Sequence, residues 1–335
     1  MLPKLRDKIK VGVVVENNLP IYIIGDVHWK EPPFSLGLHK FFDYLESLQK
    51  DNPAIWIFKG DYFDSSRPNW AIHYEGTQRL LKLKGKKYVV EGNHDKYSTI
   101  GSALATLDLF NDIHILHEKT FMKIQGIDFL FLPYADHTTM KAYSDIEFSN
   151  GVVVTHFAPP NSVYGNIGEY DLPKLKDCII YAGHIHMADL HRRRFNGNDE
   201  SIIGVPQTTR QGEEGLTKYI VKIENEKHEF ITLPIFFDIK TINFGDVVPE
   251  NSIDLIKVIN APSSETVYDM YGHLYLKEDG IKLKEDDLDL KTLEEVRLGN
   301  SEFLETQIIR WSEENKPDKY VFDRIMNRLT ELKGA

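Results

Sequence analysis

Residues 54–64 read AIWIFKGDYFD and residues 87–95 read KYVVEGNHD. In each, a short apolar run rich in β-branched or aromatic residues stops at a glycine, and carboxylate, amide or imidazole side chains follow at once. Runs of this length bounded by polar turns are what buried strands look like. The same grammar recurs at 21–28 (IYIIGDVH), 151–156 (GVVVTH) and 178–186 (CIIYAGHIH). Five strand-like segments therefore end in chemistry. In an open α/β sheet the carboxyl ends of strands converge on one crevice, so groups far apart in sequence can meet there.

Between these runs lie helical patterns at Phe34 to Lys50, with Leu38, Phe41, Phe42, Leu45 and Leu48 on one stripe, at Trp70 to Leu83, and at Ser98 to Phe110. From Phe121 to Leu132 and from about Asp189 to Leu233, strands follow one another with turns only, which predicts a second, more antiparallel sheet facing the first. The expected fold is an α/β two-sheet sandwich flanked by helices. After Phe237 the character changes. We expect a main domain at 1–239, a small α+β cap at 240–290 and a C-terminal helical region at 291–335. The last region would hold helices at Leu293 to Trp311 and Lys319 to Lys333, with Pro317 between them.

The composition sets limits. The chain has 335 residues, 41% hydrophobic and 27% charged, an ordinary globular mixture. One cysteine, Cys178, forms no internal disulfide and reads as a buried strand thiol, which fits a reducing compartment. No run approaches the roughly 18 apolar residues of a membrane helix, and the start lacks a signal peptide's apolar core. The expectation is no membrane and a cytoplasmic location. With 40 Lys plus Arg against 51 Asp plus Glu, the net charge of −11 repels a polyanion in bulk. Any nucleic-acid contact must be local, metal-assisted or supplied by a partner.

The residue types at the strand ends point to divalent ions. Asp26, His28, Asp61, Asn93, His156, His184 and His186 offer carboxylate, amide oxygen and imidazole, a set that suits Mn²⁺, Fe or Zn²⁺ without thiolate. Seven donors exceed one tetrahedral ion and match two ions roughly 3.5–4 Å apart sharing a carboxylate and a water. In Asp26-Val27-His28 and His184-Ile185-His186 an extended backbone would send both polar side chains one way and the apolar residue into the core. Each motif alone is weak, because an isolated Asp-x-His is more often a surface turn. Together, in this order, they are hard to explain as packing.

The series GDVH, GDYFD, GNHD, TH and GHIH resembles the calcineurin-like metallophosphoesterases over about residues 20–190. GDYFDSSRP and IIGVPQTTRQGEEG (202–215) resemble the SbcD-type nucleases of double-strand-break repair, phage relatives included. The resemblance implies that Asp26, His28, Asp61 and His186 hold one ion, that Asp61 bridges, and that Asn93, His156 and His184 complete the other. It implies His94 beside the leaving group, with Asp95 orienting its imidazole. The position of Asp64 is commonly a phosphate-contacting histidine in archaeal and eukaryotic members and Asp in bacterial ones, so Asp64 joins His94 and Asp95 as a catalytic candidate of open role. WKEPP after GDVH also departs from the usual Leu-Gly, and the residues before the first motif read as an added strand.

The implied activity is a metal-dependent DNA phosphodiesterase, exonuclease and single-strand endonuclease, using two divalent ions, Mn²⁺ by preference, and a hydroxide bridging them. Its implied partners are DNA and an SbcC-like coiled-coil ATPase docked on the amphipathic terminal helix, and a homodimer is left open. Arg67, Arg79, Lys86, Lys87 and the run Arg192, Arg193, Arg194 are candidates for phosphate contacts, with a solvated strand face as the bland reading. The alternative is a stand-alone phosphoesterase acting on nucleotides, cyclic nucleotides or phosphoproteins. Ser65-Ser66 and Asp95 argue against the phosphoprotein subclass, which carries Arg-Gly and GNHE. A binding module that lost its chemistry would show eroded ligands, and none of the seven is missing.

Overall fold

The computed structural model describes residues 10–14, 19–32, 34–50, 52–97, 101–134, 143–157, 172, 174–193, 197–210, 213–243, 245–247, 255–259 and 275–276. The expected helices after residue 290 and the terminal docking segment lie outside the described residues. The chain divides into two compact units, Met1–Ile239 and Lys240–Ala335.

In chain order the first unit runs β1 (Lys10–Val14), β2 (Ile21–Ile24), α1 (Phe34–Gln49), β3 (Ile55–Phe58), α2 (Trp70–Lys82), β4 (Lys87–Val90), β5 (Ile113–Leu116), β6 (Thr120–Ile124) and β7 (Ile127–Leu132). It continues with β8 (Phe148–Ser149), β9 (Val152–Thr155), β10 (Leu175–Lys176), β11 (Ile179–Ala182), β12 (Asp189–Arg193), β13 (Asp199–Ile202), β14 (Tyr219–Glu224) and β15 (Lys227–Thr232). The strands β16 (Ile239–Asn243), β17 (Leu255–Ile259) and β18 (Tyr275–Leu276) form a separate three-stranded sheet.

Two mixed sheets make the sandwich. One has the order β15-β14-β2-β3-β4-β5, with β2 to β5 parallel and the β14–β15 hairpin added antiparallel to β2. The other has the order β1-β6-β7-β9-β11-β13-β12, and its centre, β7, β9, β11 and β13, is parallel. The second sheet is therefore less antiparallel than expected, and two of the five motif strands, β9 and β11, belong to it. The hairpin expected there sits on the first sheet instead, where β14 covers the free edge of β2 and removes an unpaired ladder.

The first sheet is covered on both faces, which is why its strands are apolar at every position rather than alternating. Tyr22, Ile24, Trp56, Phe58 and Val89 meet Leu38, Phe41, Phe42 and Leu45 of α1. Their neighbours Ile21, Ile23, Ile55, Ile57, Tyr88 and Val90 meet Phe129, Phe131, Val152, Val154 and Tyr181 of the second sheet. Phe42 contacts Trp29, Phe58 and Tyr62 at once, so α1 braces the loops that follow β2 and β3. Removing such a buried ring costs about 3–5 kcal/mol. Helix α2 begins where Asn69 caps it, the side-chain oxygen accepting the Ile72 amide at 3.0 Å.

The helix expected at Ser98 to Phe110 is absent over the described residues 101–110. The amides of Ala105, Leu107 and Phe110 bond three residues back, and only Leu107–Leu109 forms a 3₁₀ turn. Leu104 and Leu107, both fully buried, are three residues apart, a spacing that suits this tighter winding. Ala103 N donating to Asp95 O ties the segment back to the GNHD loop. Cys178 is free and buried, and burial raises its pKa. No described helix is long and apolar enough to cross a membrane.

Candidate metal centre

The polar residues after β2, β3, β4, β9 and β11 meet at one rim, where the parallel strands of both sheets end. The loops continue the strands' pairing for a few residues: His28 N donates to Asp61 O at 2.9 Å and Trp29 N to Tyr62 O at 2.8 Å. The motifs themselves are not extended. His28, Asp61 and His184 have φ of 52°, 47° and 70°, so side chains converge through left-handed turns rather than strand alternation. Such conformations are costly for non-glycine residues and concentrate at functional sites. Val27 and Ile185 do turn into the core, as the sequence pattern implies. Glycine is needed beside the turns. Gly60 has φ of +115° and an added Cβ would lie 2.1 Å from His156 Nδ1, while one at Gly92 would lie 2.1 Å from Asp61 Oδ1.

Among the described residues, three groups of ligand atoms lie close enough to share an ion: Asp26, His28 and His186; Asp61, His156 and His184; and His28, Asp64 and His94. Asp61 joins the first two. Its Oδ1 accepts the His94 amide at 2.8 Å, leaving Oδ2 at 3.1 Å from His156 Nε2 and 3.7 Å from His28 Nε2. Asn93 completes the second group, its Oδ1 lying 3.1 Å from His156 Nε2 and 2.9 Å from His184 Nδ1. The seven residues singled out as ligands are thus brought together.

The donors suit cations. His28 Nε2 is buried with no hydrogen-bond partner, an unsatisfied nitrogen aimed at the place an ion would occupy. Burial alone would lower the pKa of His156, but the Asp61 and Asp26 carboxylates outweigh it and push the value up to about 9. His184, buried beside that positive imidazole, falls to about 4. Asp61 stays ionised despite its burial because His156 and His28 face it. Of these three groups only His156 would have to give up a proton to a divalent ion, since neutral His184 and ionised Asp61 are already the ligating forms.

Outside the ligands stand groups that orient them. His156 Nδ1 donates to Lys59 O at 3.0 Å, His28 Nδ1 pairs with Asp64 Oδ1 at 3.0 Å, and His186 Nδ1 pairs with Glu213 Oε1 at 2.5 Å. Each leaves Nε2 for the interior of the site, the arrangement by which proteins fix a ligating imidazole. Glu213 also accepts from Thr209 N and Oγ1. Although burial opposes it, His186 and Thr209 lower the pKa of Glu213 to about 2. Lys59, fully buried, donates to Asp26 Oδ1 at 2.8 Å, and Asp26 Oδ2 accepts the His184 amide.

Sequence reasoning missed Glu213 and Lys59. Lys59 was detectable as a charge directly after the apolar run IWIF. Glu213 lay inside the run 202–215 that carried the resemblance, with nothing to mark it out from Glu214.

His94 sits beside this centre, its Nδ1 donating to Asp64 O at 2.8 Å and its ring edge-on to His28 with centroids 4.9 Å apart. Asp95 does not orient that imidazole, contrary to expectation. It is fully buried and accepts the amides of Tyr62, Phe63 and Gly92, tying the GDYFD and GNHD loops together. Burial and the nearby Asp61 charge raise its pKa to about 7. Asp64 therefore has two functions, its carboxylate holding His28 and its carbonyl holding His94.

The basic candidates are scattered. Lys86 and Lys87 lie at the start of β4, the end away from the site, and Lys87 is fully buried against Asp112. Arg192 and Arg193 pair in register with Glu200 and Asp199 near the start of β13, again at the far end. Arg194 lies outside the described residues. Arg79 is engaged with His39, Asp43 and Glu46 between the helices. Arg67 is exposed, over the Tyr97 ring.

Residues 19–188 match the calcineurin-like phosphoesterase profile, a span that contains all five motifs. The chain belongs to the calcineurin-like phosphoesterase family. Members of this family are metal-dependent hydrolases, and the grouped His and Asp side chains of this phosphoesterase could hold divalent ions. A solved archaeal phosphodiesterase is similar to it with a TM-score of 0.38 and 12% identity, over 64% of this chain and 100% of that one. No curated protein matches the chain.

Proposed function

We propose that this phosphoesterase hydrolyses DNA phosphodiester bonds, as exonuclease and single-strand endonuclease, in an SbcCD-like complex with a coiled-coil ATPase. The observation that carries the two-ion hydrolase reading is Asp61, whose one open carboxylate oxygen faces ligands of both clusters. Asp26, His28, Asp61 and His186 would hold one divalent ion, and Asp61, Asn93, His156 and His184 the other; the mixed oxygen and nitrogen donors suit Mn²⁺, Fe or Zn²⁺, and the family resemblance points to Mn²⁺ among them. When bound, the two ions supply Lewis acidity to the phosphate and lower the pKa of the attacking water.

The chain's own residues supply the rest. Asp64 and Glu213 keep His28 and His186 in the tautomer that presents Nε2 inward. The Asp64 carbonyl fixes the proton of His94 on Nδ1, so Nε2 can receive a proton and deliver it to the leaving oxygen. DNA as the substrate and the ATPase as the partner are supported by the resemblance of GDYFDSSRP and of 202–215 to SbcD-type nucleases. The net charge of −11 favours a partner that contributes positive surface.

The test compares hydrolysis of an aryl monoester, an aryl diester and end-labelled DNA by the full chain with Mn²⁺. We expect DNA and diester to be cleaved well above the monoester, and His94→Ala to lose about 10²–10⁴-fold while still binding ions. Monoester preference with intact DNA would replace this reading with a small-molecule phosphoesterase.

A further inference from the structure

Positive charge reaches the rim of the site at a place that the sequence candidates did not include. Lys30 is the second residue after the first motif, and its Nζ donates to Thr209 O at 2.5 Å and stands 3.8 Å from Asp64 Oδ1. The same ammonium lies over the Phe34 ring, 4.1 Å from its centroid, a cation–π contact that holds it at the rim. Arg210, the residue after Thr209, reaches Glu213 Oε1 through Nε at 3.0 Å with its side chain 60% exposed.

The two cations stand in equivalent places. His28 pairs with Asp64, which faces Lys30; His186 pairs with Glu213, which binds Arg210. The His28 and His186 rings lie 4.6 Å apart between centroids, so both chains of contacts start from one cluster. Structural need does not account for them. Asp64 and Glu213 already have hydrogen-bond donors in His28, His186 and Thr209, and the Arg210 side chain that reaches the buried Glu213 stays largely in solvent. An ammonium has three donors and a guanidinium five, more than these contacts use. Moreover, an acidic protein with a carboxylate-rich site must attract a polyanion through local charge.

We propose that Lys30 and Arg210 form a two-pronged seat for phosphate oxygens of the substrate strand, on the side of the site built by Asp26, His28 and His186. The seat rests on the diesterase reading above and adds where the strand lies. It sets the preferred substrate as one with more than one phosphate, because a lone monoester cannot occupy both prongs and the reaction centre.

The experiment measures binding of a fluorescent thymidine dodecamer to the full chain in Ca²⁺, which limits turnover, across a salt series. Lys30→Met and Arg210→Gln should each weaken binding by about tenfold, on the order of one charge-assisted hydrogen bond. The double variant should flatten the salt slope by roughly 1.4, about 0.7 per phosphate contact on a single strand. Lys30→Arg should retain most of the affinity. Mn²⁺ stoichiometry by calorimetry should match the parent protein in every variant. Unchanged affinity and slope in the double variant, while the parent cleaves a diester, would overturn the seat alone. Loss of an ion in Lys30→Met would overturn it too, because Lys30 would then only brace Asp64. A parent protein that neither binds the dodecamer nor hydrolyses bis-p-nitrophenyl phosphate would remove the diesterase reading and the seat together.

Discussion

Around Asp26, His28 and His186 the imidazoles are backed by carboxylates, Asp64 and Glu213, and Asp26 itself by the buried Lys59 ammonium. Around Asp61, Asn93, His156 and His184 the backing is a main-chain carbonyl, that of Lys59, and contacts among the ligands themselves. The ligand types are alike and the supports are not. A carboxylate behind an imidazole raises its basicity more than a carbonyl does, so the first position should depend on side chains that mutation can reach. The second depends on backbone, and only ligand changes should disturb it.

The strongest way to break this contrast is Asp61→Ala, which removes the one carboxylate common to both positions. We expect activity to fall by at least about 10³-fold and bound ions to drop from two to below one per chain, read by calorimetry. An intact count of two would show that Asp61 is not shared.

Next in size is Lys59→Met. It strands the Asp26 charge in a fully buried setting, so metal-free stability should fall by about 3–5 kcal/mol in urea. Saturating Mn²⁺ should recover much of that loss, since ions at the first position compensate Asp26. A loss that ions do not reduce would mean that Lys59 serves packing only.

Glu213→Gln sharpens the comparison more finely. We expect one ion to bind about 10–100-fold more weakly and the other as before. Equal weakening of both would erase the distinction between the positions.

The smallest effect is on pH. His156 in the metal-free protein is protonated up to about 9, so an ion must displace that proton. Affinity for the second ion should rise about tenfold per pH unit up to about 9 and then level off. Calorimetry at pH 7 in buffers of different ionisation enthalpy should count one proton released. Because the folded value is raised, its contribution to metal-free stability is full below about 6.5 and lost as pH climbs through about 9. A buffer-independent heat would reject this assignment.

How much of this was legible in the sequence follows the same divide. Strands β2, β3, β4, β9 and β11 and helices α1 and α2 were readable because a buried strand needs an unbroken apolar run and a covering helix needs a stripe. The seven ligands were readable because each sits one to four residues past such a run. What stayed hidden was long-range. Nothing near Ile220 says that β14 will pair with β2, and nothing near Glu213 says that His186 lies against it. The turns at 101–110 were misread as helix because Leu104, Leu107 and Phe110 fit either winding, and the bond to Asp95 O that decides between them joins separate loops. The family resemblance implies that Asp95 orients the neighbouring imidazole, whereas the backbone turn directs its carboxylate to three amides instead.

The ligands come from both halves of the sandwich: Asp26, His28, Asp61 and Asn93 from one sheet, His156, His184 and His186 from the other. A pair of cations seated among them would act as a rivet through that edge, joining layers that elsewhere adhere largely by oily contact. Chelation should therefore unfasten one border of the molecule first, and catalytic competence and mechanical cohesion would be lost in the same event.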